Sequence, residues 1–96
     1  MFAHPSPSRV ALGHVVATPA ALELLATQRA DGAALVARHA RGDWGDVGAE
    51  DRAANEAALV QGERVLSAYQ VGAGAELWII TEADRSVTTL LLPSDY

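Results

Sequence analysis

The stretch HARGDWGD, residues 39–46, sets a histidine, an arginine, two aspartates and two glycines around a single tryptophan. His39 can take and give a proton near neutral pH, Arg41 can clamp an anion, and Asp43 and Asp46 can orient an imidazole or share a divalent cation. A second polar run, TEADRS at 81–86, adds Glu82, Asp84 and Arg85. Together these residues admit a small hydrolase or nuclease, with His39 as acid or base and Asp43, Asp46 and Glu82 around a metal or a phosphate.

The same residues admit structural work. Asp43 and Asp46 suit a turn whose backbone they can bond, Asp84 and Ser86 suit a hairpin turn, and a histidine ending a helix has its positive form favoured by the last carbonyls. Arg85 carries a planar fork that matches a carboxylate, so the expected arrangement is a clamp from Arg85 to Asp43 or Asp46. An EF-hand is excluded by spacing: with Asp43 as first ligand, Gly45 and Val47 fall where oxygen ligands are required. GAGAE at 72–76 lies between two strand-like runs, which is the wrong context for a phosphate loop. On helix-like residues 49–61, Arg52 and Glu56 are spaced as an ion pair, and Asn55 can bond Asp51 one turn away. Trp44, on a loop, is the better candidate for an exposed anchor, and Trp78, inside ELWIITE, for the core.

The elements that must position these residues follow from pattern. Residues 1–8 (MFAHPSPS) read as a flexible tail and 9–96 as one compact domain, since 96 residues support a single core. VALGHVVA at 10–17 reads as a strand, closed by Thr18–Pro19, which cap a helix over 19–28 with Leu22, Leu25 and Ala26 on its buried stripe. Asp31 caps a second helix over 32–40, with Leu35, Val36 and His39 at helical spacing, and Gly42 stops it. A third helix spans 49–61, its first turn holding Glu50 and Asp51, and Gly62 ends it. RVLSAYQ, ELWIITE and SVTTLLL then read as a three-stranded antiparallel meander. The fold class is α+β, with helices packed on one sheet face; whether the first strand joins the sheet is open.

Composition narrows the chemistry. There is no cysteine, which removes disulfides, thiolate nucleophiles and cysteine-ligated zinc. The formal net charge is −5 and all seven cations are arginines. A surface without lysine and with excess carboxylate is poorly made for a nucleic-acid polyanion, so no direct nucleic acid is expected as partner. No leader-like N-terminus and no run approaching roughly 20 apolar residues is visible, which points to a cytoplasmic chain with no membrane contact.

The run HARGDWGDVGAEDRAANEAAL, then GERVLSAYQ and LWIITEADRSVTTLLLPSDY, resembles a small bacterial family described as plasmid-related or hypothetical proteins, carried by plasmids, integrative elements and phages. The likeness extends upstream to LGHVVATPAAL. Its matched polar positions are His39, Gly42, Asp43, Trp44, Gly45, Asp46, Asp51, Asn55, Glu56, Thr81, Glu82, Asp84, Arg85 and Ser86; Gly48, Ala49 and the Pro-Ser lead-in depart from it. The resemblance implies a compact accessory-genome protein and no defined activity.

Three functions are therefore expected, in this order. First is a non-enzymatic mobile-element protein that binds a host or element-encoded protein, including interference with restriction or CRISPR, with Trp44, Asp43, Asp46, Asp84 and Arg85 as binding residues and no cofactor or metal. Second is the small hydrolase or nuclease using His39, Asp43, Asp46 and Glu82. Third is a stabilising subunit of a larger complex.

Overall fold

A computed structural model describes residues 8–96; the tail expected over 1–8 lies, Ser8 apart, outside the described residues. The elements run β1 (His14–Ala17), α1 (Pro19–Thr27), α2 (Gly32–Ala40), α3 (Ala49–Gln61), β2 (Val65–Gln70), β3 (Glu76–Thr81) and β4 (Val87–Leu91), followed by a 3-10 turn, Pro93–Asp95. Local chemistry sets most of these boundaries. The Thr18 hydroxyl accepts from the Ala21 N–H at 3.1 Å with Pro19 as first helical residue. The Asp31 carboxylate accepts from the N–H groups of Ala33 and Ala34 at 3.0 and 3.3 Å. At the end of α3 the N–H groups of Gly62 and Glu63 both bond the Ala58 carbonyl, at 2.9 and 3.1 Å, which closes the helix and turns the chain into β2.

The sheet has four strands in the order β1-β4-β3-β2. The expected antiparallel meander is present, with Val65 opposite Thr81 and Thr81 opposite Thr88. β1 joins it in parallel against β4, His14 beside Val87 and Ala17 beside Leu90, which makes the sheet mixed. The strand is shorter than the 10–17 expected from its valines. Val10 is instead buried in the core, where the N–H groups of Arg9 and Val10 share the Ala40 carbonyl at 2.7 and 3.2 Å. Gly13, at φ +62°, then turns the chain so close to Ser86 that a Cβ would lie 2.1 Å from its carbonyl oxygen.

All three helices pack on one face of the sheet. That face carries Val65, Ser67 and Tyr69 of β2, Leu77, Ile79 and Thr81 of β3, and Thr88 and Leu90 of β4, as the register requires. Ala21 and Leu25 of α1, with half-buried Leu35 and Val36 of α2, cover Tyr69, Leu77, Ile79 and Leu90. Val10, Trp44 and Ala58 close the other end of the core over Val65. The stripe of α1 differs from expectation: Ala21 and Leu25 are buried one turn apart, whereas Leu22 is 57% exposed and Ala26 is exposed. The opposite face carries Leu66, Ala68, Gln70, Glu76, Trp78, Ile80, Thr89 and Leu91 and, among the described residues, has no α-helix over it. No helix among the described residues is long and apolar enough to cross a membrane.

Candidate functional site

His39 sits on the last turn of α2, and the packing of that helix drives its ring into the sheet, where it is 0% exposed. Nδ1 lies 2.6 Å from the Ser67 hydroxyl and Nε2 lies 2.8 Å from that of Thr81. Thr81 in turn lies 2.7 Å from Thr88, whose hydroxyl donates to the Leu12 carbonyl at 2.8 Å. This chain fixes the protons. With the Thr88 proton on Leu12, Thr88 must accept from Thr81, so Thr81 accepts from an Nε2–H; in the neutral ring Nδ1 is then bare and accepts from Ser67.

Burial holds the imidazole neutral: with the nearby positive charge of Arg85, it pushes the His39 pKa down to about 4. The helix-end effect that favours a positive histidine is present in the topology, but desolvation outweighs it, since a charged ring here would lose water on all sides. The Ser67–His39 pair resembles a nucleophile and its base only in distance. Ser67, Thr81 and Thr88 are as buried as the ring, and no substrate reaches them.

The GDWGD loop is occupied with the edge of β2. Ala68 donates to the Trp44 carbonyl at 3.0 Å and accepts from the Asp46 N–H at 2.6 Å, so that residues 44–46 run as a short parallel addition to the sheet. An Asp46 carboxylate oxygen then takes the Gln70 N–H at 3.0 Å. Gly45 makes this approach: at φ +75°, a Cβ there would lie 2.1 Å from the Ala68 carbonyl oxygen. Asn55 of α3 completes the seal by giving and taking one hydrogen bond with the backbone of Leu66. It does not bond Asp51 along the helix.

Trp44 is the loop's core anchor and not a presented one. It is 1% exposed, stands edge-on to His39 with ring centroids 5.9 Å apart, and donates from Nε1 to Glu56 at 3.0 Å. Glu56 is gripped by the fork of Arg9 at 2.6 and 3.2 Å, in place of the expected Arg52. Those bonds, first from Arg9 and then from Trp44, hold the Glu56 carboxyl below the usual range.

The clamp between Arg85 and the aspartates is not made. Asp43 pairs with Arg38 five residues back, at 2.7 and 3.3 Å, and that bond holds its carboxyl below the usual range. Its carbonyl accepts from the Tyr69 hydroxyl at 2.5 Å, while burial raises the Tyr69 pKa to about 12. Arg85 spends its fork on carbonyls: Glu63 at 2.6 Å, Glu82 at 3.1 Å and Ala58 at 3.3 Å. It ties the β3–β4 turn to the end of α3, where helix carbonyls favour a cation. Asp84 accepts from the Ser86 N–H and hydroxyl at 3.0 and 2.6 Å, which is turn chemistry.

Topology explains the separation. Asp46 lies beside Gln70, whereas Glu82, Asp84 and Arg85 follow Thr81, the partner of Val65 at the other end of β2. Five strand residues separate the two ends by about 17 Å. Among the described residues, no group of three histidine or carboxylate side chains could hold a metal, and no buried side-chain nitrogen or oxygen lacks a partner. His39, Asp43, Asp46, Asp84 and Arg85 are each engaged with this chain's own groups. Comparisons with known protein families, with curated proteins and with solved structures find no match.

Sequence reasoning missed a different set of residues, those on the helix-free face. Trp78, expected in the core, is half-buried there and donates to Glu76 at 2.6 Å. Tyr96, 67% exposed, meets its ring edge-on at 5.7 Å, and Arg64 lies 5.3 Å from the Tyr96 ring centre. The signal was available in the strands: apolar residues at both parities mark a sheet with two faces to cover, and three helices pack on only one.

Proposed function

We infer that the chain is a non-enzymatic protein that acts by binding another protein across the helix-free face of its sheet. The observation that carries this reading is the apolar character of that face. An antiparallel sheet with one solvated side ordinarily alternates apolar and polar. Here Leu66, Ala68, Trp78, Ile80 and Leu91 point away from the helices beside Gln70, Glu76 and Thr89; Ala68, Ile80 and Leu91 are buried, and Leu66, Trp78 and Val87 remain partly open to solvent. Tryptophan, tyrosine and arginine are the side chains that most often dominate binding energy, and Trp78, Tyr96 and Arg64 stand together on this surface. The commitment of the polar residues to internal contacts removes support from the hydrolase reading. A mobile-element role, including interference with restriction or CRISPR, belongs to the same proposal and rests on the family resemblance.

The test is parallel capture from lysate of the source cells with wild-type and Trp78→Arg baits, after both are shown to melt cooperatively at similar temperature. A protein enriched on wild type and depleted at least tenfold on the variant supports the reading. Equal recovery on both moves binding to another surface, and recovery of nothing specific on either removes the reading.

A further inference from the structure

The two edges of the sheet are treated differently. Every outward backbone group of β2 from Leu66 to Ala68 is paired, by Asn55, Trp44 and Asp46, and the Gln70 N–H is taken by Asp46. On β1, the N–H groups of His14 and Thr18 bond Ser86 and Leu90, so the alternation turns the N–H and C=O of Val15 and Ala17 outward. Those four groups have no partner among the described residues. Nor does this edge carry the lysine, inward charge or bulge that ordinarily blunts an exposed strand. Val15 and Val16 are 49% and 47% exposed, and beside them opens an apolar groove of about 630 Å³ lined by Leu22, Leu25, Ala33, Val36 and Leu90.

We propose that β1 is a dimer edge, paired antiparallel with β1 of a second copy to form a continuous eight-stranded sheet. Charge selects this occupant. The chain carries −5, yet residues 14–27 and 32–37, which form the edge and the groove, hold one formal charge, Glu23. Two such surfaces meet without setting like charges against each other, whereas the rest of this acidic chain would repel its copy. Symmetry fits as well. With a twofold axis at Val16, Val15 of each copy faces Ala17 of the other, and all four outward groups on each side are satisfied in pairs. A stable dimer buries about 800 Å² per partner, more than four strand residues supply, and the groove walls with Leu22 extend the contact on the helix side.

The axis places the two Val16 residues as a non-hydrogen-bonded pair about 4.5 Å apart at Cα, within disulfide range. Because the chain has no cysteine, Val16→Cys introduces one thiol per copy. Under mild oxidation it is expected to cross-link into a covalent dimer at least tenfold faster than Val60→Cys, an exposed position on α3. Sedimentation equilibrium should return twice the 10.0 kDa chain mass for wild type. Val15→Pro, which deletes an outward N–H without touching the β4 ladder, and Val16→Lys should each weaken association at least tenfold. Wild type that stays monomeric to millimolar concentration overturns the proposal, as does a dimer unaffected by both variants. Because Trp78 lies on the sheet face and not at this edge, neither result bears on partner capture through Trp78.

Discussion

Asn55 closes a two-bond ring with the backbone of Leu66, donating from Nδ2 to its carbonyl at 2.7 Å and accepting its N–H at Oδ1 at 3.0 Å. A side-chain amide thereby does what a neighbouring strand would do, at the point where α3 leaves no room for one. The sealed edge of β2 depends on it.

Replacing Asn55 with Leu keeps the volume but strands two backbone groups at a residue that is almost fully buried. An unsatisfied buried donor or acceptor costs about 1–3 kcal/mol, so the unfolding free energy read from urea titration should fall by an amount in that range or above it. Asn55→Asp should be no better, because the carboxylate faces the Leu66 carbonyl it once donated to. A variant as stable as wild type would show that the edge needs no seal.

His39 makes stability depend on pH. The unfolded chain takes up this proton near the ordinary value of 6.5 and the folded chain only near 4, so between them the unfolded state binds more protons. Stability is complete above pH 6.5 and falls as pH drops towards 4, by on the order of 3 kcal/mol. Asp43 and Glu56, whose folded values are depressed, stabilise above their ordinary values and lose that contribution at lower pH, beneath most of this window. Thermal melts at steps from pH 7 to 4.5 should show the fall in wild type. His39→Asn, less stable throughout, should flatten it.

The helices were legible because their signals are local: Thr18–Pro19, Asp31 and Gly62 act within one turn of where they stand. The meander was legible because its strands are sequential and β-branched. What the residues around His39 and Arg85 bond was not, since both choices are made by packing across long sequence separations. Arg85 had carboxylates of matching shape to choose from, yet the β3–β4 turn delivers it to the carbonyls of Ala58 and Glu63. Similarly, nothing near β1 announces a parallel partner 73 residues away, from His14 to Val87.

Trp44 separates the two demands that its sequence position allowed. Since it fills the core between His39 and Ala58 and bonds Glu56, Trp44→Ala should cost about 3–5 kcal/mol and leave the chain mostly unfolded at 37 °C. Trp44→Phe should retain the fold at lower stability, losing only the bond to Glu56 and part of the volume. Circular dichroism melts distinguish these outcomes, and an unshifted Trp44→Ala melt would contradict the buried placement.

Asp43 and Arg85 should prove energetically independent. Each is engaged elsewhere, Asp43 with Arg38 and Arg85 with backbone carbonyls at the far end of the sheet. A double-mutant cycle of Asp43→Ala with Arg85→Ala should therefore give a coupling within about 0.3–0.5 kcal/mol of zero, the scatter of distant sites. The cycle of Asp43→Ala with Arg38→Ala should give about 0.2–1 kcal/mol, because that ion pair is half exposed and water screens it. Asp43→Ala also removes the acceptor of the Gly45 N–H, so its single-mutant cost should exceed the coupling. Strong coupling between Asp43 and Arg85 would mean that the two polar runs touch after all.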